Sequence, residues 1–225
     1  MAHPADHPGP MVLVDDLEAL ELPDATEHHL RRVLRLRDGA ALTAADGSGR
    51  WRTVVLGPSL EATGPVEEVP PARPELTVGF ALVKGDKPEL VVQKLTELGI
   101  DRLVPFRAAR SVVRWDAARA AKAVERLRLV ARAAAEQSHR PRLPVVSEVV
   151  DLPALVADHG PGLALASRDG GPLSDEIVTV LVGPEGGWDP EELALAAPRV
   201  GLATNVLRAE TAAIAAGILL AARRR

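Results

Sequence analysis

Residues 177–193 read IVTVLVGPEGGWDPEEL, and that order of residue types admits few folds. The first six positions form a continuous β-branched and apolar run, the pattern of a strand covered on both faces. A helix is then announced. Asp189 is a good N-cap, Pro190 suits the first helical position, and Glu192 stands three residues after the cap as in a capping box. Trp188 and Leu193 occupy the two positions of a hydrophobic staple. The glycine-rich turn between them therefore lies at the carboxyl end of a buried strand, the edge where ligands bind in open α/β sheets.

Phosphate is a poor candidate for what this turn holds. Phosphate loops present successive backbone N–H groups, often with a Lys, and avoid carboxylates. Glu185 stands in the middle of the turn, and neither G-x-G-x-x-G nor G-x-x-x-x-G-K-[ST] occurs in the chain. The turn suits a ligand with a flat base, a ribose and a positive charge. The competing reading is an ordinary connection whose glycines serve tight geometry alone.

The same alternation extends backwards. LTVGFAL, RLVPF and LALAS (163–167) read as strands, and NVL (205–207) as the end of a short one. KPELVVQKLTELG reads as a helix with Leu90, Val91, Leu95 and Leu98 on one stripe and Gly99 as its stop. Residues 116–137 read as a long helix, and 209–222 as another. Strands alternating with helices indicate a parallel sheet. Before it, MVLVDDL to TVVLGPSLEA reads as short strands plus a helix near 26–35. The hairpin turns at DGSG (46–49), and the proline-rich EEVPPARPEL (67–76) is a linker. Two domains are expected, a small β-rich one over 1–72 and an α/β one over 73–225.

The closing helix, AETAAIAAGILLAA, is apolar almost all round, so it is either a core helix or one covered by a second copy of the chain. A homodimer is the more economical explanation.

Charge is unevenly placed. The formal net charge is −4, but residues 1–72 hold 6 basic and 12 acidic side chains, residues 73–142 hold 15 and 8, and residues 143–225 hold 6 and 11. The basic middle third, with HHLRRVLRLR (28–37), is the kind of footprint a polyanion needs, or else a set of solvated helix faces. The chain has no Cys and no Tyr. Disulfides and thiolate metal sites are excluded, and extensive base stacking is not expected. His28, His29 and His139 lack metal-ligand spacing, so no metal is expected. No apolar run spans a membrane and the N-terminus lacks signal-peptide order, so a cytoplasmic protein with no membrane partner is expected.

These residues resemble a known family. LVGPEGGWDPEEL followed by VLRAETAAIAA is similar to the SPOUT class of knotted RNA methyltransferases, and more narrowly to the family that methylates N3 of a uridine in bacterial 16S ribosomal RNA. HHLRRVLRLRDG resembles that family's N-terminal PUA-like domain. KGDKPELVVQKLTELGIDRLVPF, RSVVRW and AAAEQSHRPRLPVV resemble its central motifs. Three departures are visible. GPMVLVDD stands where the family has an Arg-Phe pair, Ser167 and Arg168 replace a His-Glu pair, and Trp188 replaces Phe.

The resemblance implies a parallel sheet with a C-terminal trefoil knot, and S-adenosylmethionine bound in the knotted loops. The implied cofactor residues are Ala166, Ser167, Val182, Gly183, Pro184, Gly186, Gly187, Gly201, Leu202, Val206, Leu207, Arg208, Ala209 and Thr211. Arg208 would stabilise charge developing on the uracil oxygens, and Glu185 or Glu210 would take the N3 proton. For Glu210 the competing role is a carboxylate satisfying helix N-terminal donors. Arg31, Arg32, Arg35, Arg110, Arg114, Arg140 and Arg142 are the expected RNA contacts, with Arg31 and Arg35 on one helical face and Val33 and Leu34 turned inward. The implied partner is 16S rRNA or the small ribosomal subunit. Two other readings are a knotted enzyme acting on a ribose 2′-hydroxyl and an RNA-binding module without activity.

Overall fold

The computed structural model describes residues 2–224 except Lys84, Val112, Arg114, Gly160, Pro161, Ala196 and Ala197, and His159 through its backbone. By internal contacts the chain divides into two units, Met1–Pro71 with Arg132–Leu143, and Ala72–Ala131 with Pro144–Arg225. The expected boundary near residue 72 thus has a complication in Arg132–Leu143, a segment grouped with the N-terminal residues.

The first unit contains β1 (Met11–Leu13), α1 (Asp24–His28), β2 (Ala41–Ala45), β3 (Arg50–Leu56), β4 (Leu60–Ala62) and β5 (Glu67–Glu68). β1 runs parallel to β2, and β2, β3 and β4 form an antiparallel meander. The DGSG turn works as its composition requires: Asp46 Oδ1 accepts the Ser48 N–H at 2.8 Å, and Gly47 and Gly49 take the positive φ the turn needs. Glu67 and Glu68, expected to open a linker, pair with β3 instead. Val12, Leu42, Val54 and Leu56 form this unit's core.

One local expectation fails. The helix near 26–35 is a short α-helix that passes into a π-helical turn over His29–Val33, after which Arg35 adopts a left-handed φ of 55°. The change of periodicity removes the i, i+4 relation between Arg31 and Arg35. Val33 and Leu34 are exposed, not turned inward.

The second unit contains β6 (Thr77–Ala81), α2 (Lys87–Glu97), β7 (Arg102–Arg107), α3 (Ala117–Gln137) as far as Ala131, β8 (Val145–Val146), β9 (Val150–Asp151), α4 (Leu152–His159), β10 (Leu163–Gly171), β11 (Thr179–Val182), α5 (Pro190–Leu195), β12 (Arg199–Val200) and α6 (Ala209–Arg223). The sheet is parallel, in the order β12-β10-β11-β6-β7-β8, with β9 beside β7. Its faces are both buried. Val180 and Val182 join a cluster with Val91, Leu95 and Ala213, while Leu181 points into another with Phe106, Leu155 and Trp188. Successive strand residues face opposite sides, so the apolar run reports two covered faces. No strand forms at NVL; the short one is β12, six residues earlier. In α2 the buried stripe is Val91, Val92 and Leu95, and Leu90 is exposed.

α6 packs its inner side on the chain's own core. Ala213, Ala216 and Leu220 are buried, and a Cβ on Gly217 would lie 2.4 Å from Leu95 Cδ2, so a larger residue would require that leucine to shift. Its other side leaves Ile218 and Leu219 exposed. An apolar helix of this kind is therefore half accounted for without a partner.

The strand order places the site. The chain enters at β6 and builds β7 and β8 outward. It then crosses back to lay down β10 and β11 on the other side, so β11 and β6 are neighbours at the point where direction reverses. Ligands in open α/β sheets bind outside the carboxyl ends of the strands at such a point.

Candidate functional site

Three segments meet at that edge: Ala166–Arg168 in β10, the turn after β11, and the loop between β12 and α6. They enclose a cavity of about 360 Å³. Of the residues expected at a cofactor, Ala166, Ser167, Val182, Gly183, Pro184, Gly187, Leu202, Val206, Leu207 and Ala209 line it. Glu185, Trp188 and Arg168 line it as well.

Gly186, Gly201, Arg208 and Thr211 do not. Gly186 backs onto Arg110, whose Cβ and carbonyl oxygen a Cβ would approach to 3.2 and 3.3 Å. Gly201 is pressed against the chain: its N–H donates to Gly171 O at 2.8 Å, and a Cβ would lie 2.7 Å from Gly170 O. Thr211 is exposed one turn into α6. Arg208 is the exposed N-cap of α6, between two lining residues, and among the described residues it has no carboxylate partner.

Local chemistry explains the turn. Glu192 is buried and closes the capping box by accepting the Asp189 N–H at 2.9 Å, and its other oxygen accepts the Ala109 N–H at 2.6 Å. Trp188 does more than staple. It stacks on Phe106 with ring centroids 6.0 Å apart, and its Nε1–H donates to Ala166 O at 2.8 Å, joining two cavity walls. A Cβ on Gly183 would stand 2.9 Å from this indole. The glycine is thus required by Trp188, not only by whatever fills the cavity. Gly187 is needed for a different reason, its φ of 73°.

The charged groups are paired in a way the residue order does not show. Lys87, at the first turn of α2, places Nζ 2.9 Å from Glu185 Oε1 and 3.5 Å from Glu210 Oε2. The longer separation is an ion pair without a hydrogen bond, and Glu210 Oε2 is buried with no hydrogen-bond partner among the described residues. Hydrogen bonding to Glu185 raises the Lys87 pKa above its ordinary value. On the far wall, Ser167 Oγ–H donates to Asp169, which also pairs with Arg199 at 2.6 Å; the Ser167 bond leads in holding that carboxyl below the usual range. Lys87 was missed by sequence reasoning, although an N-terminal lysine ahead of Pro88 in a glycine-flanked loop was visible.

The arginines divide by what they already hold. Arg31 Nε contacts Glu27 at 3.0 Å and its Nη1 Asp38 at 2.9 Å, with Nη2 donating to Gly57 O, so it braces its own loop. Arg142 donates to Val69 O at 3.0 Å. Arg32 and Arg35 are exposed. Arg110 sits 3.5 Å from both Gly186 O and Asp189 Oδ2, at the limit of a hydrogen bond. Arg140 is half-buried. Arg114 lies outside the described residues. No group of three or more His, Asp or Glu among the described residues is placed to hold a metal.

The family profile of the RNA methyltransferase domain matches residues 70–221, and that of the RNA methyltransferase PUA domain matches residues 22–58. The chain is 36% identical to a ribosomal RNA small subunit methyltransferase E of Mycobacterium bovis, covering 89% of this chain and 86% of the relative. The protein of that name from Bacillus subtilis is 27% identical, covering 88% of each. Among solved structures, a ribosomal RNA small subunit methyltransferase E from Neisseria gonorrhoeae bound to S-adenosyl methionine superposes with a TM-score of 0.81. It is 28% identical over 93% of this chain and 95% of that one. A methyltransferase from Legionella pneumophila in complex with the cofactor gives 0.78 and 26%, over 96% and 98%.

Proposed function

The chain belongs to the RNA methyltransferase family that includes the ribosomal RNA small subunit methyltransferase E proteins, and we propose that it methylates N3 of a uridine in 16S ribosomal RNA, using S-adenosylmethionine. The observation that carries this reading is the single cavity formed by three loops at the switch point, with a carboxylate on its wall. Its volume falls in the range of small-ligand sites, its wall is mostly apolar, and among the described residues no lysine lines it. A nucleoside with a sulfonium charge and no phosphate fits that description. The Neisseria relative, bound to S-adenosyl methionine, supports it.

When bound, the cofactor would supply a methyl group activated by a positively charged sulfur. The protein's part is position and charge. Ala166, Val182, Leu202 and Leu207 would hold the base and ribose between apolar walls, and Trp188 keeps two of those walls together. Holding both reactants in line supplies most of the acceleration for a displacement of this kind. Arg208, exposed beside the cavity and without a carboxylate partner among the described residues, would donate to the uracil oxygens as N3 loses its proton. Glu185 is the better proton acceptor, because it faces the cavity while Glu210 lies behind the wall of Val182, Gly183 and Ala209.

We infer further that the C-terminal loops are knotted. The tight crossing at Gly170 and Gly201, where a Cβ on the first would lie 2.3 Å from Val200 C and one on the second 2.7 Å from Gly170 O, supports this. A homodimer through the exposed side of α6 is supported by Ile218 and Leu219. RNA would be held by Arg32, Arg35, Arg110 and Arg140, with Arg31 and Arg142 bracing the surface. Calorimetry with S-adenosylmethionine and NAD, and mapping of methylated bases on ribosomal RNA with and without the gene, test the reading. Binding of NAD alone, or an unchanged base pattern, would overturn it.

A further inference from the structure

Glu185 and Glu210 both pair with the Lys87 ammonium. Lys87 Nζ is 2.9 Å from the first and 3.5 Å from the second, so with all three ionised the group carries a net charge of −1. Glu185 lines the large cavity. Glu210 lines a small void behind it whose walls include Val182, Gly183 and Ala209, three residues that also line the large cavity. The two carboxylates therefore approach the cavity from its rim and from behind its wall. Glu210 has a side chain only 13% exposed. Charge in such a place is screened less than charge on an open surface.

The cofactor reading gives this arrangement a task. Methyl transfer turns a sulfonium cation into a neutral thioether while the rest of the ligand keeps its charges. A pocket of fixed negative potential binds the cation more tightly than the thioether. We propose that Glu185, Lys87 and Glu210 form a charge-reading triad that favours the sulfonium cofactor over the thioether product, and that Lys87 sets how strongly it does so. This rests on the cofactor reading above. Removing Lys87 would make the potential at the cavity more negative and bind the cofactor more tightly relative to product; removing Glu185 would make it less negative and favour the product. Lys87 is a specificity residue in this scheme, acting through the two carboxylates.

The test is equilibrium binding of S-adenosylmethionine and S-adenosylhomocysteine to the purified protein. It compares the wild type with Lys87→Met, Glu185→Gln, the double variant and Lys87→Arg. All titrations run in one buffer at about pH 8.5. The readout is the ratio of the two dissociation constants. Lys87→Met should shift it toward the sulfonium ligand by about threefold to tenfold, the scale of a partly exposed charge. Glu185→Gln should shift it the other way by a similar factor, the double variant should return near wild type, and Lys87→Arg should keep the wild-type ratio. Added salt should shrink both shifts. Equal weakening of both ligands in the single variants would mark Lys87 as structural and overturn the proposal. A wild type that binds neither ligand would instead overturn the cofactor reading itself.

Discussion

Lys87 and Glu185 are 98 residues apart in the chain, yet their side chains meet at 2.9 Å. The cause is strand order. β6 and β11 are parallel neighbours with Phe80 opposite Val182, so the loop that leads to Lys87 and the turn that carries Glu185 leave the sheet at the same edge. An ion pair at a cavity mouth is thus a product of topology.

Gly183 and Trp188 should behave as one unit. Gly183→Val would drive a side chain into the indole, so both melting temperature and cofactor affinity should fall. Trp188→Phe should keep an aromatic ring on Phe106 but lose the bond to Ala166 O and part of the indole's packing, a cost of about 1–3 kcal/mol. Thermal denaturation alongside calorimetry checks this; a Gly183→Val protein with wild-type stability would show that Trp188 can move aside.

Arg208 and Arg32 should separate chemistry from attachment. Arg208→Ala is expected to leave RNA affinity nearly intact while single-turnover methyl transfer falls by about two orders of magnitude. Arg32→Ala should weaken binding of any RNA and flatten the salt slope by roughly one unit. Arg31→Ala should lower the melting temperature more than Arg32→Ala does, since its partners are Glu27, Asp38 and Gly57. Identical profiles for Arg32→Ala and Arg208→Ala would remove the division.

Glu136 titrates against the fold. Burial raises its pKa above the ordinary carboxylate value, outweighing the bond it accepts from Leu13 N–H and the nearby Arg132. The folded state therefore holds this proton more tightly than the unfolded chain, and stability falls as pH rises from the unfolded pKa through the folded one. Glu136→Gln keeps an acceptor for Leu13 and removes the charge. It should melt higher than wild type at neutral pH, with the gap closing near about pH 4. A variant that melts lower at neutral pH would show that the charge is stabilising.

Ile218→Glu tests assembly without testing the core. The side chain is 49% exposed, so the charge should leave the chain folded and abolish association. Light scattering and circular dichroism on the same sample distinguish the outcomes. A wild type that is monomeric at micromolar concentration would end the proposal.

Much of the site was legible in residue order because its determinants are local. A capping box needs residues three apart, a staple five, and a buried strand an unbroken apolar run, so IVTVLVGPEGGWDPEEL announced strand, turn and helix by itself. The parallel sheet followed from repeating that unit. The misplaced features were those where nonlocal packing decides. NVL has strand composition but lies against the cavity, and α6, apolar on most sides, packs its inner side on α2, β6 and β11. Arg31 and Arg35 lost their shared face to a π-helical turn that spacing rules do not foresee. The sheet order, and with it the sharing of Lys87 by Glu185 and Glu210, was settled only by tertiary structure. Which strands become neighbours depends on closing long loops against one core, a property of the whole chain that no window of neighbouring residues contains.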